Sequence, residues 1–306
     1  MHIFLPIAQV SVNAWVVLGL GGSVGFLSGL FGAGGAFLLT PFLIFIGVPP
    51  PVAVASVSAE LVAASLSGVM AHWRRGSVDF RMGLVLLVGG LTGSGFGVWL
   101  FGVLQKLGQI NLAISLCYVI FLGAIGFLML FESWRAVRRK LRGGGTRFRI
   151  RQPNWVRNLP LKMRFPKSRL YLSPLLPVVI GFVIVVITAI MGAGSGSILV
   201  PAMIYLIGMP VAIIAGTSLF QVIFVSANVA FLQAVSHQTV DIVLALLLLL
   251  GAVVGAQYGT RFGSRIAAEH LRGLHGMMVL AVCGKMLFDM LARPVDLFSI
   301  AISGAG

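Results

Sequence analysis

Two glycine-rich breaks, Gly32-Ala33-Gly34-Gly35 and Gly192-Ala193-Gly194-Ser195-Gly196, stand 160 residues apart in this chain, each between apolar runs and each followed by a proline, Pro41 and Pro201. The likeness continues through Ala55-Ser56-Val57-Ser58 against Ala215-Gly216-Thr217-Ser218, then Val78-Asp79 against Val240-Asp241. Further on, Gly89, Gly93 and Gly97 fall on Gly251, Gly255 and Gly259 at a constant offset of 162. The chain is therefore a duplication. Glycine interruptions at corresponding places of two apolar halves point to a substrate site buried between membrane helices.

The runs around the breaks leave no choice of solvent. Between Ile3 and Trp73 the only Asp, Glu, Lys or Arg is Glu60, and between Leu170 and Val240 there is none. A hydrocarbon span takes about 20 apolar residues, so each stretch holds several. With 58% hydrophobic residues, 9% charged and a mean hydropathy of +1.05, a water-soluble globule is excluded. Met1 to Pro6 has no basic leader region, so the first apolar run is expected to be retained as a helix. Cys117 and Cys283 lie in apolar segments without metal-ligand spacing and read as small core residues. His2, His72, His237, His270 and His275 sit at or near span ends and read as interfacial. No metal set, cofactor motif or catalytic constellation is visible.

The net charge of +15 is concentrated: thirteen of the 22 Lys and Arg lie between Arg135 and Arg169. That segment, with Gly143 to Gly145 and Pro153, Pro160 and Pro166, reads as a cytoplasmic linker facing anionic lipid headgroups rather than nucleic acid. The expected organisation is a first repeat over 1–131, the linker over 132–172, a second repeat over 173–291 and a tail over 292–306. Apolar runs predict five helical elements per half, at about 14–31, 37–47, 52–71, 80–104 and 109–131, and again at 175–191, 197–208, 211–235, 242–261 and 271–291. Arg74, Arg75 and Arg81 place the loop after the third element in the cytoplasm. Its counterpart from Ser236 to Asp241 has no Lys or Arg. The next loops reverse the contrast, with Lys106 alone against Arg261, Arg265 and Arg272. Two inverted repeats follow, with both termini periplasmic.

The second element of each half is too short to span a bilayer. It is expected to break or re-enter within the membrane, where backbone leaving helical geometry must be buried in protein or line a polar cavity. Short helices starting at Gly34-Gly35 and Ser195-Gly196 direct unpaired amides outward, a charge-free setting for an anion. Glycines repeating every four residues, such as Gly89, Gly93 and Gly97, read instead as close helix packing.

The candidate substrate ligands are Gly32, Ala33, Gly34, Gly35 and Ser58 in the first half, and Gly192, Gly194, Ser195, Gly196, Thr217, Ser218 and Gln221 in the second. Ser56, Ser226 and Asn228 share the same apolar segments; each hydroxyl or amide reads equally as glue between helices. Asp79 and Asp241 open the fourth elements as N-caps. Glu60 and Lys285 are intramembrane charges, read as a proton-coupling pathway or a mutual ion pair, with snorkelling open to Lys285.

The residues from Ser28 to Pro41, with Gly47-Val48-Pro49 and the His-x-Arg-Arg-Gly-x-Val-Asp pattern from His72 to Asp79, are similar to the sulfite exporter and toluenesulfonate uptake permease family (TauE/SafE-like) of bacterial transporters. So are Gly192 to Pro201 and Gly216-Thr217-Ser218-Leu219. The resemblance covers nearly the whole chain outside the linker and tail. It implies an inner-membrane secondary carrier of small sulfur-containing anions such as sulfite or organosulfonates, often exported. The alternatives are an anion channel or an uptake carrier for another organic acid. The expected fold is an all-α membrane protein with short broken helices meeting near the midplane.

Overall fold

A computed structural model describes residues 2–31, 36–74, 76–141, 163–168, 170–263 and 268–292. Each half opens with a short antiparallel hairpin that the apolar pattern does not signal. In the first half β1 (His2–Leu5) pairs with β2 (Val10–Asn13), and α1 (Ala14–Phe31), α2 (Leu39–Phe45), α3 (Pro50–Arg74), α4 (Phe80–Lys106) and α5 (Ile110–Leu141) follow. In the second, β3 (Met163–Phe165) pairs with β4 (Leu170–Leu172), ahead of α6 (Leu175–Met191), α7 (Gly196–Ala202), α8 (Val211–His237), α9 (Ile242–Gly263) and α10 (Ala268–Ala292). The architecture is all-α apart from these hairpins. Among the described residues five helices, within α3, α4, α5, α8 and α9, are long and apolar enough to cross a membrane. The expected helices match closely, except that α5 continues past Phe131 to Leu141, into the segment read as linker. The remainder of that linker from 142 to 162 and the tail from 293 lie outside the described residues.

The helices pair mainly across the two halves: α1 with α9, α6 with α4, α3 with α8 and α5 with α10. Glycine seams make the first two pairings. A Cβ at Gly93 would stand 2.6 Å from the Phe182 carbonyl oxygen, and Gly89 and Gly97 abut Val178 and Val186 of the same helix. In the other pairing Gly251, Gly255 and Gly259 abut Leu18, Gly22 and Phe26. Residue numbers rise together along both seams, so the paired helices run parallel. The packing reading of these six glycines is thus what the geometry supports. The third and fifth elements behave differently. Gly68 meets Leu219 while Gly216 meets His72 and Ser77, and Gly126 meets Leu280 while Gly276 meets Leu130. Hence α3 runs antiparallel to its counterpart α8, and α5 to its counterpart α10.

Two carboxylates lock the fourth helices to the opposite half. Asp79 caps α4, accepting from the Met82 amide at 3.2 Å, while its own amide donates to Thr217 Oγ1 of α8 at 3.0 Å. Asp241 caps α9, accepting from the Leu244 amide at 3.1 Å, and its amide donates to Ser56 Oγ of α3 at 3.1 Å. The free carboxylate oxygens reach the hairpins. Ser168, between β3 and β4, donates its amide (3.1 Å) and its hydroxyl to Asp79 Oδ2, and the Ile7 amide, between β1 and β2, donates to Asp241 Oδ2 at 3.4 Å. Because α8 starts where α3 ends, the two clamps sit on opposite faces of the molecule. Lys167 donates to the Val78 carbonyl at 3.0 Å, so the hairpin after the basic linker shares a face with the Arg74 loop.

These bonds also correct the pairing of the halves. Gly47 and Gly208, with φ of +92° and +77°, both turn the chain into the third element. Six positions separate Pro41 from Gly47 and seven separate Pro201 from Gly208; the additional residue is absorbed by a π turn over Met203–Ile207. Ser56 therefore corresponds to Thr217, and Ser58 does not correspond to Ser218.

Gly93→Val is expected to destabilise the protein in detergent by about 1–3 kcal/mol. Gly95→Val, two residues away with open space at its Cβ, should leave the melting temperature unchanged; equal effects would refute the seam. Asp79→Ala should cost about 1–2 kcal/mol through the lost cap, read in the same melting assay, and no loss would remove the clamp.

Candidate functional site

The second break is a buried interruption between two helices. Gly192 ends α6 in the left-handed region (φ +67°) and Gly194 repeats that geometry (φ +65°), conformations that side-chain-bearing residues resist. A Cβ on Gly192 would meet the Val54 Cα at 2.5 Å, and one on Gly194 would meet Leu61 Cδ1 at 2.7 Å, so α3 lies directly against the break. Ala193 and Ser195 are buried.

Chain that leaves a helix at this depth exposes carbonyls that lipid cannot satisfy, and the first half supplies the donors. Tyr118 of α5 donates to the Met191 carbonyl at 2.8 Å, and Thr40 of α2 donates to the Gly192 carbonyl at 3.4 Å. Both donors are fully buried. Sequence reasoning missed them because a tyrosine and a threonine in apolar helices look like ordinary core. Among the core residues around Tyr118 are Phe37, Leu38, Ile114, Leu122 and Met191.

Beside the break lies a cavity of about 70 Å³. Its walls come from Ser28 on α1, from Leu61, Ala64 and Ser65 on α3, and from Gly194 and Ser197 at the break; Leu219 and Val222 of α8 close it. Room for a few waters remains inside. The predicted ligands divide around it. Gly194 and Gly196 line the cavity, while Ser195 turns away and donates to Gln221 Oε1 at 3.2 Å. Gln221 is fully buried and its Nε2 has no hydrogen-bond partner. Ser58 and Ser218 return their hydroxyl protons to their own helices, at the Val54 and Ala215 carbonyls, and Thr217 does the same at Ile213 besides receiving Asp79. Gly192 closes the helix rather than the cavity. Gly32, Ala33, Gly34 and Gly35 lie outside the described residues.

The two intramembrane charges are apart. Lys285 Nζ binds Asp289 at 2.8 Å along α10 and stands 3.7 Å over the Phe45 ring, with both side chains about half exposed. The expected ion pair with Glu60 is replaced by this local one, because an i,i+4 carboxylate reaches the ammonium without leaving the helix surface. Glu60 is buried on α3 with Oε2 lacking any hydrogen-bond partner.

A family profile described as Sulfite exporter TauE/SafE matches residues 17–286. The chain is 32% identical over 234 residues to a protein of Bacillus subtilis (strain 168) named "Probable membrane transporter protein YjnA", covering 75% of this chain and 82% of that one. It is 29% identical to "Probable membrane transporter protein YunE" of the same organism, over 78% of this chain and 83% of the relative. A "Probable membrane transporter protein" of Xylella fastidiosa (strain 9a5c) is 28% identical over 87% of this chain and 92% of its own length. No solved structure matches the chain.

Tyr118→Phe should leave the Met191 carbonyl unsatisfied and cost about 1–3 kcal/mol in a denaturant titration. Thr40→Val is expected to act in the same direction. Wild-type stability in both would show that water, not these side chains, serves the break.

Proposed function

We propose that this chain, which belongs to the sulfite exporter TauE/SafE family, is a secondary carrier that moves a small sulfur-containing anion, sulfite or an organosulfonate, outward across a bacterial inner membrane by alternating access. The observation that carries the reading is the cavity at the second glycine break, enclosed by α1 and α3 of one half and α8 of the other. A guest there touches both halves at once, so their relative movement exposes it to one side and then the other. The antiparallel course of α3 against α8 and of α5 against α10 supports an inverted-repeat carrier.

The cavity walls are mainly apolar and uncharged, with the hydroxyls of Ser28, Ser65 and Ser197 among them, a setting that suits a compact oxyanion. Backbone and side-chain donors can satisfy its oxygens without the tight ion pair that would hold it in place. The described part of this site comprises Gly194 and Gly196 on the cavity, with the Ser195–Gln221 hydrogen bond beside them. The basic linker lies on the cytoplasmic side in this reading, near anionic lipid, and the hairpin β1–β2 on the periplasmic side.

Ala64→Leu fills the cavity from α3 without touching a clamp or a seam. Its expected effect is loss of sulfite and methanesulfonate flux in proteoliposomes with the melting temperature retained. Flux at the wild-type rate would place the route elsewhere. For orientation, Ser11 and Tyr171 are exposed positions on the two hairpins. In a background lacking Cys117 and Cys283, Ser11→Cys should react with an impermeant maleimide from the periplasm, and Tyr171→Cys only after the membrane is opened. Labelling of both from one side would defeat the inverted arrangement.

A further inference from the structure

The corrected pairing of the halves gives Glu60 a counterpart. Ser56 and Thr217 play the same part, each receiving the amide of the aspartate that starts the other half's fourth helix. One helical turn beyond Ser56 is Glu60, and one turn beyond Thr217 is Gln221. Both lie thirteen positions after the left-handed glycine that turns the chain into its third element, Gly47 and Gly208. The two side chains have the same length and nearly the same shape. They are 4% and 0% exposed, and each leaves one polar atom without a hydrogen bond, Oε2 of Glu60 and Nε2 of Gln221. A buried unpaired polar atom is destabilising, and the chain keeps one at both equivalent positions.

Both residues are neighbours in sequence of residues that line the cavity. Leu61 and Ala64, one and four residues after Glu60, line it, as does Val222 after Gln221. The Gln221 amide is oriented: its oxygen takes the Ser195 hydroxyl, which turns its two N–H donors away from that bond. Nε2 lies close against Gly90 of α4, where a Cβ would stand 2.6 Å from it.

We propose that Glu60 and Gln221 are the paired polar ligands of the transported anion, and that the Glu60 carboxyl carries a proton whenever the anion is bound, so that anion and proton cross together. This rests on the anion-carrier reading above. The chemistry follows from what an oxyanion can accept. Its oxygens are acceptors only, and the Gln221 amide donates to them in any protonation state. A glutamate donates only as the neutral acid; ionised, it offers lone pairs and a like charge across a poorly screened gap. Uptake of a proton by Glu60 thus converts a repelling group into a second donor, and release of the anion returns the proton.

Among the described residues, nothing around Glu60 neutralises it instead. Of the elements packed on α3, neither α2 nor α6 carries a charged or histidine side chain. On α8 the titratable group is His237, whose ring lies against Phe101 and Gly102 of α4. On α9, Tyr258 and Arg261 lie towards the C-terminal end, and Asp241, just before its start, is held in the clamp. On α5, Tyr118 is committed to Met191, Cys117 is uncharged, and the run from Glu132 onward lies beyond the apolar span. Along α3 itself, His72 and Arg74 sit at the far end, with His72 on Ser77.

The test uses purified full-length protein in proteoliposomes with an entrapped pH dye and an inward gradient of methanesulfonate, which stays ionised across the working pH range. Wild type should acidify the lumen as the anion enters, with flux indifferent to a potassium–valinomycin potential because the paired movement is electroneutral. Glu60→Gln should lose the acidification and become driven by the potential. Gln221→Glu should lose flux at alkaline pH, and the exchange E60Q with Q221E should restore acidification, which controls for a variant that merely misfolds. Acidification by Glu60→Gln at the wild-type ratio to anion overturns the proposal, as does a Gln221→Glu pH profile matching wild type. Anion flux without acidification in wild type overturns the coupling and leaves the carrier reading standing. Absence of flux for both methanesulfonate and sulfite removes the carrier reading and the coupling with it.

Discussion

Backbone that abandons the helix inside hydrocarbon must find every hydrogen-bond partner in protein. At the second break this requirement is met by the other half of the chain, through Tyr118 on Met191 and Thr40 on Gly192. Such an arrangement fixes where α2 and α5 can sit relative to α6, and it explains why large buried side chains crowd around Tyr118. The same rule operates at the two faces, where the starts of α4 and α9 are each capped by an aspartate whose remaining oxygen ties down a hairpin from the opposite half. Because nearly every such partner crosses between halves, neither repeat is a self-sufficient unit. Their joint folding follows from polar satisfaction as much as from apolar area, which supplies little drive once the helices are in lipid.

Glycine serves two different ends in this molecule. Along α4 and α9 it removes side chains so that backbones touch, and a Cβ at Gly93 would collide with a carbonyl of a neighbouring helix. At Gly192 and Gly194 it permits a left-handed backbone as well as close approach by α3. Only the second use opens space, since the cavity borders Gly194 and Gly196 and not the seams.

Much of this was legible beforehand. Except at the end of α5, helix boundaries fell within a few residues because apolar length and charged loops mark them directly, and the four-residue glycine spacing announced the seams. The hairpins were not legible, since strands of three or four residues carry too little pattern. The register of the third elements was misread for a physical reason: the additional residue of the second half is taken up by a π turn inside an otherwise continuous helix, and nothing in the letters from Met203 to Ile207 says which residue is additional. That single slip paired Glu60 with Phe220 and hid its relation to Gln221. Thr217 and Ser218 stood out as polar residues in an apolar segment, but their hydroxyls are spent on helix and clamp bonds that only the fold reveals.

A duplicated chain contains its own control, because each position in one half can be compared with its counterpart in the other. Where the halves agree, the shared feature holds the fold: the glycine seams, the aspartate clamps, the hairpins and the left-handed turns at Gly47 and Gly208. The halves differ at many positions, and some of those differences fall at or near the break. Ser195 stands against Gly35, Gln221 against Glu60, Thr40 against Val200, and the π turn against the ordinary turn after α2. Departures from an otherwise consistent pattern are expected where function overrides local rules. In the proposed carrier, an anion with one chemically distinct end has no use for two identical half-sites, so its ligands diverge while the scaffold that presents them stays the same.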